Sequence, residues 1–261
     1  MQQTIQRIIQ NAPYKVHMFV KDFKTNQFIV KERLDEPFSS ASLIKVPILV
    51  AVLDTIEHCN TSLHQELTIR PEDWVDFSVL SEQRITTSTI YELLVWMITT
   101  SDNTATNVFI DMIGMKALNS CFRKMGLTGT LIQRKMMDIE RLGQGIDNVT
   151  TARDMAHLFS QIYEQTILTP PLSQLVIEIL CRQRFHDCLR RYIVDDIKIA
   201  HKTGSLDSVD HDVGILYNNV HDYGIGVFIT EVNENDSARQ LIGHLSKIVY
   251  DNRLQLKGEV T

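Results

Sequence analysis

The most apolar run in the chain spans residues 43–56. It carries Ile44, Val46, Ile48, Leu49, Val50, Val52, Leu53 and Ile56 on all sides of a 3.6-residue period. A helix apolar all round is a buried helix. Lys45 and Asp54 interrupt the run, so it is too short and too charged to cross a membrane. On either side the pattern changes. Residues 1–11 place Ile5, Ile8 and Ile9 on one helical face, and residues 15–20 and 27–30 read as strands joined by a turn at Lys24-Thr25-Asn26. Residues 68–80 are irregular. Thr89-Ile90-Tyr91-Glu92 is a capping-box pattern heading a helix to about Thr99. Residues 104–113 are helical in period, and 126–148 show four glycines and no period, as a long loop would. Thr150 or Thr151 caps a helix through Tyr163, and Pro170 and Pro171 open another to about Cys181. Short strand patterns return at 196–200, 212–217 and 224–230, followed by a helical pattern over 236–250.

Strands at both ends with helices between predict an α+β fold. One sheet is built from residues 1–40 and 195–261, with an all-α domain of residues 41–194 inserted. A length of 261 residues suffices for such a core. Composition adds exclusions. Apolar content is 44% and charged content 22%, ordinary for a globular chain. The net charge of -6, without a basic run, gives no footprint for nucleic acid. Cys59, Cys121, Cys181 and Cys188 form no C-x-x-C pair, so free and mostly buried thiols are expected rather than zinc or redox chemistry. Residues 1–10 lack the charged and apolar regions of a secretory signal, which fits a cytoplasmic protein or a mature secreted form.

The chemistry begins at the head of the buried helix. Ser42 and Lys45 stand three apart, so a helix puts both on one face. A helix N-terminus favours developing negative charge, and a neighbouring amine can take a proton from a serine hydroxyl. Alone, the pair reads as an N-cap serine with a snorkelling lysine. Two further triplets change that: Ser101-Asp102-Asn103 after a helical stretch, and Lys202-Thr203-Gly204 after a strand. Alone, Ser101-Asp102-Asn103 reads as a helix cap. As an ordered set, the three resemble the motifs of class A β-lactamases and penicillin-binding proteins.

The resemblance covers roughly residues 27–249. It implies a five-stranded antiparallel sheet flanked by helices, an all-α domain, and a site in the cleft between them. It implies Ser42 as the acylated serine, Lys45 as its base, Ser101 as proton relay, and the backbone N–H of Ser205 completing an oxyanion hole with that of Ser42. Asn103, Lys202, Thr203, Gly204 and Phe77 would line the substrate, although Phe77 reads equally as a core aromatic. Asn107 would pin the long loop, and Asp102 would be structural. The substrate would be a β-lactam or a peptidoglycan-type peptide, met by a monomer with no cofactor or metal. His201, His211, Asp207, Asp210 and Asp212 crowd the same strands, and solvated turn residues are the reading taken over a metal site.

One departure is serious. The class A loop carries Arg-x-Glu-x-x-Leu-Asn, whose glutamate activates the deacylating water. Matching the arginine to Arg134 puts Met136 at the glutamate position. Asp138 and Glu140 are the remaining candidate carboxylates, and Arg134–Asp138 reads equally as a structural ion pair. The competing functions are therefore a β-lactamase, a D-alanyl-D-alanine carboxypeptidase, and a β-lactam-binding protein that acylates and stops.

Overall fold

The computed structural model describes residues 1–218 and 221–253. The chain opens with α1 (Gln2–Asn11), then the hairpin β1 (Lys15–Asp22) and β2 (Gln27–Glu32). After β3 (Phe38–Ser39), a 3-10 turn over Ala41–Ile44 leads into α2 (Lys45–His58). Then come β4 (Glu66–Thr68), α3 (Val79–Glu82), β5 (Thr87–Thr89), α4 (Ile90–Thr99), α5 (Asn103–Ile113) and α6 (Met115–Lys124). The long loop holds α7 (Ile139–Gly143) and closes on β6 (Val149–Thr150). Helices α8 (Ala152–Tyr163) and α9 (Pro170–Leu180) precede β7 (Ile199–Leu206), β8 (Val209–Leu216), β9 (Tyr223–Thr230) and α10 (Asn235–Asp251).

The main sheet is antiparallel throughout, in the order β2-β1-β9-β8-β7. Strands from both ends of the chain therefore make one sheet, and β7 is an edge. Alternation along β1 explains how the sheet is covered. Val16, Met18 and Val20 join a core with Ile5 and Ile9 of α1 and Ile242, Leu245 and Val249 of α10. Phe19, between them, faces the opposite core, which the helices between the strands supply. At the centre of that core, every residue of α2 from 45 to 53 is buried, Lys45 included. No helix among the described residues is long and apolar enough to cross a membrane.

Several expectations change in register. Ser42 lies in a 3-10 turn rather than in the α-helix proper, which begins at Lys45. Pro47 then falls at the third helical position, where its missing N–H removes no intrahelical bond. The last strands begin differently from their apolar runs. Strand β7 starts at Ile199 and carries Lys202-Thr203-Gly204-Ser205 inside it, and β8 starts at Val209. Helix α6 has no counterpart in the sequence reading. Its positive-φ Gly114 separates it from α5 by one residue.

Two chemical expectations also fail. His201, His211, Asp210 and Asp212 are not solvated turn residues: each is at most 1% exposed, inside β7 and β8, and only Asp207 lies in an exposed turn. One ring nitrogen of each histidine is paired within the fold, while His201 Nε2 and His211 Nδ1 have no partner among the described residues. His201 Nδ1 meets Asp212 Oδ1 at 2.9 Å, and His211 Nε2 donates to the Ser39 carbonyl at 2.9 Å. Burial pushes His211 down to about 4, so it stays neutral. The four cysteines are free, as expected, but only Cys188 is buried.

Candidate active site

The position of Ser42, the expected nucleophile, is set by the backbone on either side of it and by a neighbouring strand. Ser40, fully buried, donates its N–H to the Asn148 carbonyl at 2.8 Å, tying the turn to the end of the long loop. Ala41 holds a φ of +43°, a left-handed conformation that is sparsely populated for a residue with a Cβ. On the third side stands edge strand β7. A Cβ on Gly204 would come within 3.2 Å of Ser42 N, Ser40 O and Leu43 Cγ. A side chain here would crowd the strand edge against the Ser42 amide, which favours glycine at this position. The Ser42 hydroxyl has no hydrogen-bond partner among the described residues.

Behind the serine, two lysines converge on one hydroxyl. Lys45 Nζ donates to the Ser101 carbonyl at 2.6 Å, to Ser101 Oγ at 3.1 Å and to Asn103 Oδ1 at 2.8 Å. Lys202 Nζ donates to Ser101 Oγ at 3.1 Å and to the Thr203 carbonyl at 2.7 Å. Both lysines are fully buried. Burial disfavours the ammonium form, and the neighbouring Lys202 charge disfavours it further at Lys45, against a smaller opposing pull from Asp102. The Lys45 amine is therefore held well below the usual lysine range. Burial also brings Lys202 down to about 7, with the Asp212 charge opposing the shift.

Ser101 is presented by strain and by its neighbour. Its own φ is +57°. Asp102, fully buried, is the N-cap of α5. Its Oδ1 accepts from Ala105 N at 2.8 Å and Ser78 Oγ at 2.9 Å, and its Oδ2 from Leu80 N at 3.2 Å. Asp102 is thus the structural member of the triplet. Asn103 continues the link outward, donating Nδ2 to the Asp76 carbonyl at 3.1 Å and its N–H to the Phe77 carbonyl at 3.3 Å. The core reading of Phe77 fails on its exposure. It is 77% exposed with a φ of +55°, carried on a segment bonded to the site rather than packed in the core.

The long loop reaches the site through Asn107. Its Oδ1 accepts from Met136 N at 2.8 Å, and its Nδ2 donates to Met136 O at 3.1 Å. The Met136 side chain belongs to the main apolar core. Neither nearby carboxylate bonds to Lys45, Ser101 or Asn103. Asp138 caps α7 through Arg141 N, and Glu140 is exposed with Gln144 as its partner. The ion pair considered for Arg134 is formed with Asp147 at 2.8 Å instead of with Asp138. It clamps the two ends of the loop together.

Sequence reasoning missed Arg239. From the start of α10 it donates Nε to Asp210 at 3.0 Å, Nη1 to Asp187 at 2.9 Å and Nη2 to Ser205 Oγ at 3.2 Å. Two carboxylates aim a guanidinium at the residue after Lys202-Thr203-Gly204. Nothing local to Arg239 announces this, since only the packing of α10 on β8 brings it there.

The sequence model of the beta-lactamase enzyme family matches residues 1–252. The chain belongs to that family. A solved structure titled PBP-A is similar to it at 29% identity, with a TM-score of 0.89 over 98% of this chain and 96% of that one. TLA-3 extended-spectrum beta-lactamase superposes with a TM-score of 0.91 at 20% identity, covering 97% of this chain and 98% of its own. A beta-lactamase from Sphaerobacter thermophilus gives 0.89 at 22% identity, over 97% and 98% of the two chains. At those lower identities the likeness is one of fold, and it places this chain in the β-lactamase/transpeptidase-like fold.

Proposed function

We propose that the protein is a serine acyl-transfer hydrolase that opens β-lactam amide bonds through an acyl-enzyme on Ser42, and that it releases the acyl group slowly. The observation that carries this is the convergence of Lys45 and Lys202 on Ser101 Oγ, each at 3.1 Å, beside a turn that holds Ser42 against Gly204. A neutral Lys45 amine takes the Ser42 proton as Oγ attacks the carbonyl carbon. The N–H groups of Ser42 and Ser205 hold the oxyanion. Ser101 passes a proton to the departing nitrogen and is resupplied from Lys45. Lys202, with Thr203 and Arg239 beside it, receives the substrate carboxylate. Asn103 and Phe77 line the side-chain end of the substrate.

Deacylation needs a second base for water. A thioether accepts hydrogen bonds weakly and takes no proton, and Met136, the residue aligned with the family's loop glutamate, has its peptide held by Asn107 and its side chain in the apolar core. The reading of Asp138 and Glu140 as substitutes gains no support from their bonds. A point mutant of PBP-A has been solved as its acyl-enzyme with penicillin G, so a similar protein forms the intermediate invoked here. Slow release also suits a D-alanyl-D-alanine carboxypeptidase, and Met136 is the feature favouring that second reading. Labelling with a fluorescent penicillin tests the proposal: wild type labels covalently, and Ser42→Ala does not. A labelled Ser42→Ala protein sinks it.

A further inference from the structure

A small cavity of about 230 Å³ lies between α4 and the segment that follows α9, on residues the proposed chemistry does not use. Its walls are Tyr91, Val95 and Trp96 from α4, and Arg182 and Arg184 from the segment. The guanidinium groups are held by aromatic partners rather than by carboxylates. Arg182 Nη1 donates to the Tyr91 hydroxyl at 3.0 Å, and Arg184 stacks over the Trp96 ring at 5.7 Å. Neither forms an ion pair within the described residues, whereas Arg70, Arg134, Arg153, Arg191 and Arg239 each do. Glu92 also faces the cavity, but its Oε2 is engaged by Thr89 N, Thr89 Oγ1 and Ser88 Oγ at the head of α4. Two cations against one engaged carboxylate leave the cavity electropositive.

The backbone beneath the arginines is rigid. Gln183, 2% exposed, donates Nε2 to the Ile98 carbonyl at 3.0 Å and accepts from Arg184 N at 2.8 Å and Phe185 N at 3.2 Å. Arg184 N also donates to the Thr99 carbonyl at 3.2 Å. The backbone carrying the two arginines is thus fixed, and each guanidinium already leans on an aromatic side chain, which lowers part of the ordering cost of binding. Guanidinium groups pair with carboxylates through two parallel hydrogen bonds. The Trp96, Tyr91 and Val95 walls offer the rest of a ligand a flat, apolar surface. The volume lies below the range of about 300–1,000 Å³ usual for drug-sized ligands, so the occupant is small.

We propose that this cavity is a second binding site, distinct from the serine cleft, for a small aromatic carboxylate held by Arg182 and Arg184 against Trp96. The site is linked to the cleft by one carbonyl. Trp96 O accepts from Thr100 N and from Asp102 N, both at 3.2 Å, and so holds the turn that carries Ser101. Benzoate is the probe, and benzamide its neutral analogue of the same shape. The chain has two tryptophans, so a Trp74→Phe background leaves Trp96 as the reporter. Benzoate should change Trp96 emission saturably with a Kd of about 1–10 mM. Arg182→Gln and Arg184→Gln should each weaken it about tenfold or more, the loss of a charge-assisted contact. Lys202→Ala should leave it unchanged, which separates this site from the cleft. Benzamide should not reproduce the response. An equal response to benzamide, no saturation in that range, or a response untouched by both glutamine substitutions overturns the proposal. The benzamide comparison decides it even if a variant fails to fold.

Discussion

Two regions of the candidate site are built on opposite principles. On one side, the α2, α4–α5 and β7 segments place two buried lysines on one hydroxyl and hold them there with carbonyl acceptors. On the other, the loop from Arg134 to Asn148 is held as firmly, yet presents no proton acceptor to the site. Its ends are clamped by Arg134 and Asp147, and its middle by Asn107 on the Met136 peptide. The contrast teaches that a rigid loop and a reactive loop are separable properties. Asn107 fixes the Met136 peptide, and the loop carboxylates Asp138 and Glu140 bond to Arg141 and Gln144 instead of to the lysine cluster. Under the proposed function, acylation draws on the lysine side and deacylation on the loop, so variants on the two sides should affect different steps.

The largest expected effect breaks the lysine side outright. Ser42→Ala removes the nucleophile and should abolish covalent labelling without loss of fold, as read by circular dichroism. The next sharpens the loop side. Met136→Glu places a carboxylate at the loop position the family alignment assigns to the base, and general-base assistance is worth roughly 10²–10⁴-fold. The half-life of the acyl-enzyme should shorten by about a hundredfold or more, while the acylation rate changes little. If release stays slow in Met136→Glu, the loop is not what limits turnover.

Lys202→Ala comes third. It removes a charge-assisted hydrogen bond of roughly 1.5–3 kcal/mol to the substrate carboxylate. Acylation by benzylpenicillin should fall about ten- to a hundredfold, and acylation by an ester lacking the carboxylate should fall less. Equal losses would assign Lys202 a different role. The same contrast has a pH form. Lys202 sits at about 7 in the free protein, below its unfolded value, so its charge is present below that pH and lost above it. The kcat/KM for a carboxylate-bearing substrate should decline as pH rises through about 7, and the ester should show no such limb. The smallest effect tests the loop clamp. Asn107→Ala leaves the Met136 N–H and carbonyl without partners, at a cost of about 1–3 kcal/mol in urea unfolding.

How much of this was legible in the sequence depends on the range of the contact. The α2 run was legible because burial on all sides leaves no polar stripe to misread. The meeting of Lys45, Ser101 and Lys202 was legible from an ordered set of short triplets, since the family resemblance carries their juxtaposition. Helix α6 was missed because a lone glycine between helices resembles an ordinary loop. The burial of His201, Asp210, His211 and Asp212 was missed because charged residues in a strand read as solvated until the partner layer is known. The same holds for Arg239, whose partners Asp187, Asp210 and Ser205 lie 29 or more positions away. The left-handed backbone at Ala41, Phe77 and Ser101 was equally invisible, since none is a glycine. Asn107 was tied to the long loop only through the family resemblance, and its partner there, the Met136 peptide 29 positions on, emerges only from the structure.

The separation of the two steps is tested most directly by intact mass spectrometry after mixing with benzylpenicillin. The wild-type protein should gain the mass of the intact penicillin on Ser42 and keep it after free drug is removed, with turnover many-fold slower than acylation. Asp138→Asn and Glu140→Gln should leave that lifetime unchanged. Rapid loss of the adduct in wild type, with trapping in either of those variants, would contradict the account, because a displaced loop carboxylate would then be the deacylating base.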